Sequence, residues 1–274
     1  MKYDIAAKVI VDISKEAILR RFIKMDTDNI QLIEELPEET VSLKRSDFPL
    51  HVVLKDGSEK IVLLEIQTVF DRDFVVRLID YTARFMLKYH LDVIPFALSL
   101  TKSSLATGIY KNDYITFKYE VVRLWEEQSS KFLDEISLYP FLPLMDGEES
   151  IIEEAEKRIY ESSELKIVEK ADLLTAMAIF AGLKDKELTI KLIKRRRDIM
   201  IQSIAYDIIK EEGLKEGLKE GLYETISMGL EIKFGTNGLA LMEKIRKLES
   251  NDKLEIIKEA IKIATKLEEI KKLI

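Results

Sequence analysis

Along the first two dozen residues apolar positions recur at helical spacing. Ile5, Val9, Ile13, Ala17 and Ile18 form one stripe, broadened by Leu19 and Phe22, which predicts an amphipathic helix over Tyr3 to Ile23. The pattern then changes. Asn29 to Leu36 reads as a first strand, followed by Pro37 and an acidic turn. Two β-branched, apolar runs follow, His51 to Leu54 and Lys60 to Ile66, flanking Lys55-Asp56-Gly57-Ser58. Asp-Gly between strand-like runs predicts a hairpin, because Gly tolerates the positive φ that such turns require. Asp71 is placed to N-cap a long helix through Tyr89, in which Phe74, Leu78, Tyr81 and Phe85 recur at four- and three-residue spacing. Val93 to Leu100, short and apolar after a helix, predicts a buried strand reached by a crossover. Tyr114 to Leu124 reads as a further strand. The result is an α/β arrangement in the order helix, strand, hairpin, helix, strand.

From about Asp146 the pattern is helical throughout. Asp146-Gly-Glu-Glu-Ser supplies turn and capping chemistry ahead of a helix at Ile151 to Glu161. Leu165 to Leu183 is apolar nearly all round, which predicts a buried helix ended by Gly182. Glu187 to Ile209 carries Lys191, Lys194 and Arg195-Arg196-Arg197, a run that either holds a nucleic-acid backbone or forms a solvated helix face. The one internal repeat has a period of four and places Gly213, Gly217 and Gly221 after Glu212, Glu216 and Glu220. In a helix these glycines drift only ~40° per step from one shared face. Each costs ~1 kcal/mol relative to Ala, so they point either to close approach of a second helix or to a hinge. Ile232-Lys-Phe-Gly235 then ends a helix, and two charged amphipathic helices, Leu239 to Leu248 and Lys253 to Leu267, complete the chain.

Composition narrows the chemistry. The 274 residues are enough for a sizeable core and suggest two domains. The absence of Cys excludes thiolate metal sites and a Cys nucleophile, and suits the cytoplasm. With only His51 and His90 present, a multi-histidine zinc site is excluded. No apolar run approaches the ~20 residues of a membrane span, so no membrane association is expected. A formal net charge of -7 argues against gripping nucleic acid over a broad surface. It is compatible with clustered carboxylates that take up a divalent cation, which in turn recruits phosphate.

Such carboxylates stand around the hairpin. Asp47 opens one arm, and the other carries Glu65 and Gln67 inside an otherwise apolar run. A carboxylate in an apolar strand costs free energy unless it is paired or binds a cation. Glu65 is therefore either buried beside a Lys or Arg or part of a metal site. Alternate strand residues share a face, so an acid on one strand and an acid and an amide two apart on the next can converge. On the following helix, Arg77, Tyr81 and Arg84 fall on or beside one face. Arg77 can contact a phosphate bidentately or neutralise a strand carboxylate, and Tyr81 can orient that phosphate or belong to the core.

Asp47, Glu65 and Gln67 resemble the motif of the PD-(D/E)XK nuclease superfamily, and its recombination-promoting nuclease (Rpn), transposase-related branch in particular. In that branch Gln replaces the usual Lys, as Gln67 does here. The likeness extends to Tyr3-Asp-Ile-Ala-Ala-Lys8, to Arg77 and Tyr81, to Val122-Arg-Leu-Trp125, to Leu142-Pro-Leu144 and to the Glu-Gly repeat. It implies a restriction-endonuclease-like αβββαβ mixed sheet over 1–145, with the last strand tucked inside. A helical segment at 146–210, a repeat helix or linker at 211–222 and a small helical domain at 223–274 follow. The implied activity is Mg2+-dependent (Mn2+ possible) endonucleolytic hydrolysis of DNA, tied to recombination or mobile elements. Asp47 and Glu65 would be the metal ligands, Asp47, Glu65 and Gln67 the catalytic set, and Asp4, Arg77 and Tyr81 auxiliary. For Asp4 the plain alternative is an i,i+4 pair with Lys8. DNA is the implied partner, with a homodimer or larger assembly if the repeat serves helix contact. The rival reading is a non-catalytic oligomerising protein on a retired nuclease core. A third is a hydrolase of another phosphoester. Trp125 reads as a packing residue.

The metal reading constrains the hairpin. A two-residue Asp56-Gly57 turn pairing Lys55 with Ser58 sets Asp47 opposite Ile66, so that it points away from Glu65 and Gln67. A shared cation therefore requires an odd-length loop, or a bulge or sharp bend within Asp47 to Leu50, since a one-residue slip reverses a strand's faces.

Overall fold

The computed structural model describes residues 2–33, 48–248 and 250–274. The amphipathic stripe forms helix α1 (Lys2–Ile18), whose last turn widens into a π-helical segment, Leu19–Ile23. Strands β1 (Thr27–Leu32), β2 (Phe48–Leu54) and β3 (Glu59–Gln67) pair antiparallel. Helix α2 (Arg72–Tyr89) crosses over to β4 (Asp92–Ser99), which runs parallel to β3. Asp71 caps α2, accepting a hydrogen bond from Phe74 N at 2.6 Å. Beyond β5 (Ile109–Lys111) and β6 (Thr116–Lys118), β7 (Glu120–Arg123) pairs parallel with β4, so the main sheet runs β1-β2-β3-β4-β7. The expected first strand beyond Ile33, with Pro37 and Asp47, lies outside the described residues.

The hairpin loop has three residues, not two. Leu54 N donates to Ser58 O at 2.8 Å and Gly57 N to Leu54 O at 2.9 Å. Gly57 takes φ +82°, the left-handed step that follows a type I turn in three-residue hairpin loops. Asp56 braces it: its carboxylate accepts from Ser58 Oγ (2.6 Å) and Ser58 N (2.9 Å), and these bonds hold its pKa below the ordinary value. The register is Phe48↔Leu64, Leu50↔Val62 and Val52↔Lys60. A Cβ at Gly57 meets nothing within 4 Å, so any cost there is purely conformational. Gly57→Val is expected to lower stability by about 1–2 kcal/mol, and Gly57→Asn by less, in chemical denaturation.

β3 is buried on both faces. Val62, Leu64 and Ile66 join Leu50, Val52, Phe96 and Leu98 in a core shared with α1. Ile61 and Leu63 point the other way, into a cluster with Phe74, Leu78, Tyr81 and Phe85 of α2. Glu65 and Gln67 share this second face by alternation. The first core also takes in a 3-10 segment, Ile136–Leu144, and helices α3 (Glu149–Glu161), α4 (Ile167–Ala181) and α5 (Lys186–Met200). The helical stretch after Asp146 is thus packed onto the sheet.

Two long elements break where the sequence reads as continuous. Tyr114 to Leu124 divides at Tyr119: β6 pairs only with β5, and the chain then joins the main sheet as β7. Tyr119 N donates to Gly108 O, and its buried ring stacks on Phe70 at 6.2 Å, which anchors the switch. Glu187 to Ile209 breaks at 201–203. Buried Ser203 donates to Asp172 Oδ1 at 2.7 Å and accepts from Tyr206 N at 3.3 Å, so it caps the next helix, α6 (Ile204–Leu239). The basic run faces acids of α3. Lys191 pairs with Glu149 (2.7 Å), Arg195 with Glu153 (2.7 Å) and Glu156 (3.3 Å), and Arg196 with Glu156 (2.5 Å) while lying over Tyr160.

The chain forms two compact units, Met1–Tyr206 and Asp207–Ile274. The second packs α6 with α7 (Met242–Ile245), α8 (Asn251–Ile263) and α9 (Leu267–Lys271) around Ile226, Leu230, Ile245, Leu254, Ile257 and Ile270. Helix α6 is interrupted at Gly235. Gly217 and Gly221 meet nothing within 4 Å of a built Cβ. Within this unit a close helix approach is made at Gly229, where a Cβ would stand 2.9 Å from Ile261 Cγ2 on α8. No helix among the described residues is long and apolar enough to cross a membrane.

Candidate functional site

Where β3 ends, the strand delivers a carboxylate and an amide to one place. Glu65 is 4 % exposed and sits opposite Ala97, the smallest apolar residue of β4, while Gln67, two residues on, is half-buried. Thr68 and Val69 lead to the Asp71 cap, and α2 then presents Arg77 and Tyr81 four residues apart on the same side. The first turns of α1 contribute Asp4 and Lys8. Together these residues line a cleft of about 430 Å³. Its walls are mostly polar. Asp4, Glu65 and Asp71 supply carboxylates, Gln67 an amide, Lys8 and Arg77 cations and Tyr81 a phenol.

The floor is tied to the loop after β4. Leu100 N donates to Gln67 O at 2.9 Å, Thr101 Oγ1 donates to Thr68 O, and Ser103 Oγ donates to Phe70 O at 3.4 Å. These bonds hold the β3–α2 connection, so the side chains on either side of it keep a fixed spacing.

Asp4, Glu65, Gln67, Arg77 and Tyr81, the candidates drawn from the sequence, all line this one cleft. Asp47 lies outside the described residues, and the described pairing ends at Phe48↔Leu64. The three-residue loop is one of the alternatives that the shared-cation geometry requires. Arg84 pairs with Asp80 at 3.0 Å and is not a lining residue. Neither histidine lines the cleft. His51 contacts Glu59 at 2.7 Å, and His90 ends α2 with φ +56°.

Thr68 carries no local signal of a site, and the sequence pattern marks Asp71 only as a helix cap. Their signal was positional, since both lie in the connection leaving the end of a central strand, where open α/β sheets place their ligands.

The cleft offers oxygen donors beside cationic and hydrogen-bonding groups, the combination that brings a hard metal ion and a phosphate together. Its described lining holds no imidazole or thiol, and the amide of Gln67 carries no charge. No family model, curated protein or solved structure matches the chain.

Proposed function

We propose that the chain is a divalent-cation-dependent endodeoxyribonuclease of the PD-(D/E)XK type, on the lines of the Rpn branch it resembles, acting in recombination or on mobile elements. The observation that carries this reading is the convergence of Asp4, Glu65, Gln67, Arg77 and Tyr81 on one polar cleft from three separate elements. The order α1, three antiparallel strands, α2 and an interior parallel strand supports it.

The donor set fits Mg2+ or Mn2+, because every candidate ligand is an oxygen and the carboxylate of Glu65 is withdrawn from solvent. Glu65 and Asp47, the residue preceding Phe48, would hold the ion. When bound, the ion polarises a phosphoryl oxygen and lowers the pKa of a water. Arg77 receives the phosphate through its forked N–H donors and Tyr81 donates a hydrogen bond to it. Lys8 adds positive charge at the rim. Gln67 orients the attacking water through its amide but cannot take its proton, so this cleft contributes positioning rather than base catalysis at that residue. In this reading the open glycine face of α6 is left for a second copy of the chain, and DNA and that copy are the partners.

Supercoiled plasmid tests it. Nicked and then linear forms are expected with Mg2+ or Mn2+, none in EDTA and none from Asp47→Ala. Equal cleavage by Asp47→Ala, or cleavage in EDTA, would overturn the assignment. No cleavage with either metal would return the chain to the interaction-protein reading.

A further inference from the structure

A second cleft, of about 240 Å³, opens on the loop after β4. Thr101 and Lys102 form one wall, Trp125 another, and Asp146 and Lys184 the rest of its polar lining. It abuts the first cleft through one hydrogen bond, from Thr101 Oγ1 in its wall to Thr68 O in the wall of the other. β3 and β4 are adjacent strands there, and adjacent strands lie about 4.8 Å apart. The two clefts therefore share the wall formed where the chain leaves β3 and β4, and a polynucleotide seated in the first passes the mouth of the second.

Its lining suits a base and its phosphate. Trp125 stands on a 3-10 turn, Leu124–Glu126, held at Arg123, whose Nε donates to Ala106 O at 2.6 Å. The indole packs partly against the α2-side cluster, is only half-buried and lines the cleft. Lys102 and Lys184 are exposed at the same opening. Lys184 Nζ donates to Met145 O at 2.9 Å and keeps two further N–H donors for an anion. Asp146 accepts from Gln128 Nε2 at 2.6 Å, which fixes a carboxylate able to accept from a base N–H. A cleft of this size falls below the roughly 300–1,000 Å³ of sites for drug-sized ligands, which points to a small occupant. Two lysines beside an aromatic face are also what an acidic chain (net charge -7) needs to hold nucleic acid locally.

We infer that this cleft is a subsite for one unstacked nucleobase next to the cleaved phosphodiester, with Trp125 stacking on the base and Lys102 and Lys184 on its flanking phosphates. The identity of the substrate as DNA rests on the nuclease reading above; the subsite itself does not require cleavage. It assigns Trp125 a contact role in place of the purely internal packing expected from the sequence.

Trp125 is the chain's only tryptophan, so its fluorescence reports the subsite directly. Titrating the full chain in EDTA with a single-stranded 12-mer oligodeoxynucleotide is expected to quench the indole saturably, and an abasic strand of the same length to quench little. Lys102→Gln should lower the slope of log affinity against log salt by about 0.7, the share of one phosphate contact on a single strand. Trp125→Leu, checked for folding by circular dichroism, should weaken binding of a fluorescein-labelled 12-mer by about tenfold, and Trp125→Phe by much less. Absence of quenching, or quenching unchanged in both Lys102→Gln and Lys184→Gln, would overturn the proposal. The two readings separate cleanly. Quenching without metal-dependent cleavage keeps the subsite and removes the nuclease; cleavage without quenching does the reverse.

Discussion

Glu65→Gln is expected to abolish Mg2+-dependent nicking of plasmid DNA, with a loss of at least about a hundredfold, while leaving the fold intact. Even outer partners of metal ligands cost about 10–100-fold when replaced, and a ligand itself should cost no less. Gln preserves the volume and one carbonyl acceptor of Glu but carries no charge. Glu65 is among the most buried charged residues described, and burying an amide costs less than burying a carboxylate. Because Gln keeps the volume and one acceptor, thermal unfolding of the metal-free variant should stay within a few degrees of wild type. A variant that still cleaves would remove Glu65 from the site. A variant that unfolds several degrees lower would give Glu65 a structural ion-pair role and overturn its place as a metal ligand.

Phe96→Ala carries the largest expected loss of stability, about 3–5 kcal/mol. Phe96 is fully buried on β4, pairs with Leu64 of β3, and lies in the core that joins the sheet to α1 and α4. Removing its ring leaves a cavity bounded by strands on both sides and by helices above, which have little room to collapse. A loss of this size is a large fraction of the roughly 5–15 kcal/mol that a domain has in total. The two units need not unfold together, so a single transition for the whole chain is not the right observable. Trp125 lies in the first unit, and its fluorescence during urea unfolding follows that unit alone. Tyr114→Ala, at a side chain 93 % exposed, should move the midpoint by no more than about 0.5 kcal/mol in the same assay. Equal midpoints for Phe96→Ala and wild type would contradict the packing described.

The periodicity of the sequence determined the α1 stripe, the hairpin, the Asp71 cap, α2 and β4, because each follows from contacts between residues a few positions apart. It also selected Glu65 and Gln67, since a carboxylate and an amide inside an apolar run stand out against a local pattern. The tertiary structure decided what depends on distant partners. Asp-Gly suits loops of either length, and the three-residue form appears where Asp56 and Ser58 brace it and the double-sided burial of β3 sets the register. The break at Ser203 depends on Asp172, thirty-one residues earlier, and the strand switch at Tyr119 on the ring of Phe70. Within the chain a close helix approach occurs at Gly229, where Ile261 packs, while nothing in the same chain stands within 4 Å of a Cβ built on Gly217 or Gly221. The gathering of Trp125, Lys102 and Lys184 around one cleft was likewise invisible along the chain, and that of Asp4 with Arg77 followed from no local pattern but only from a resemblance. Their spacing is set by how the sheet carries its ends, a property of register and packing that no local pattern encodes.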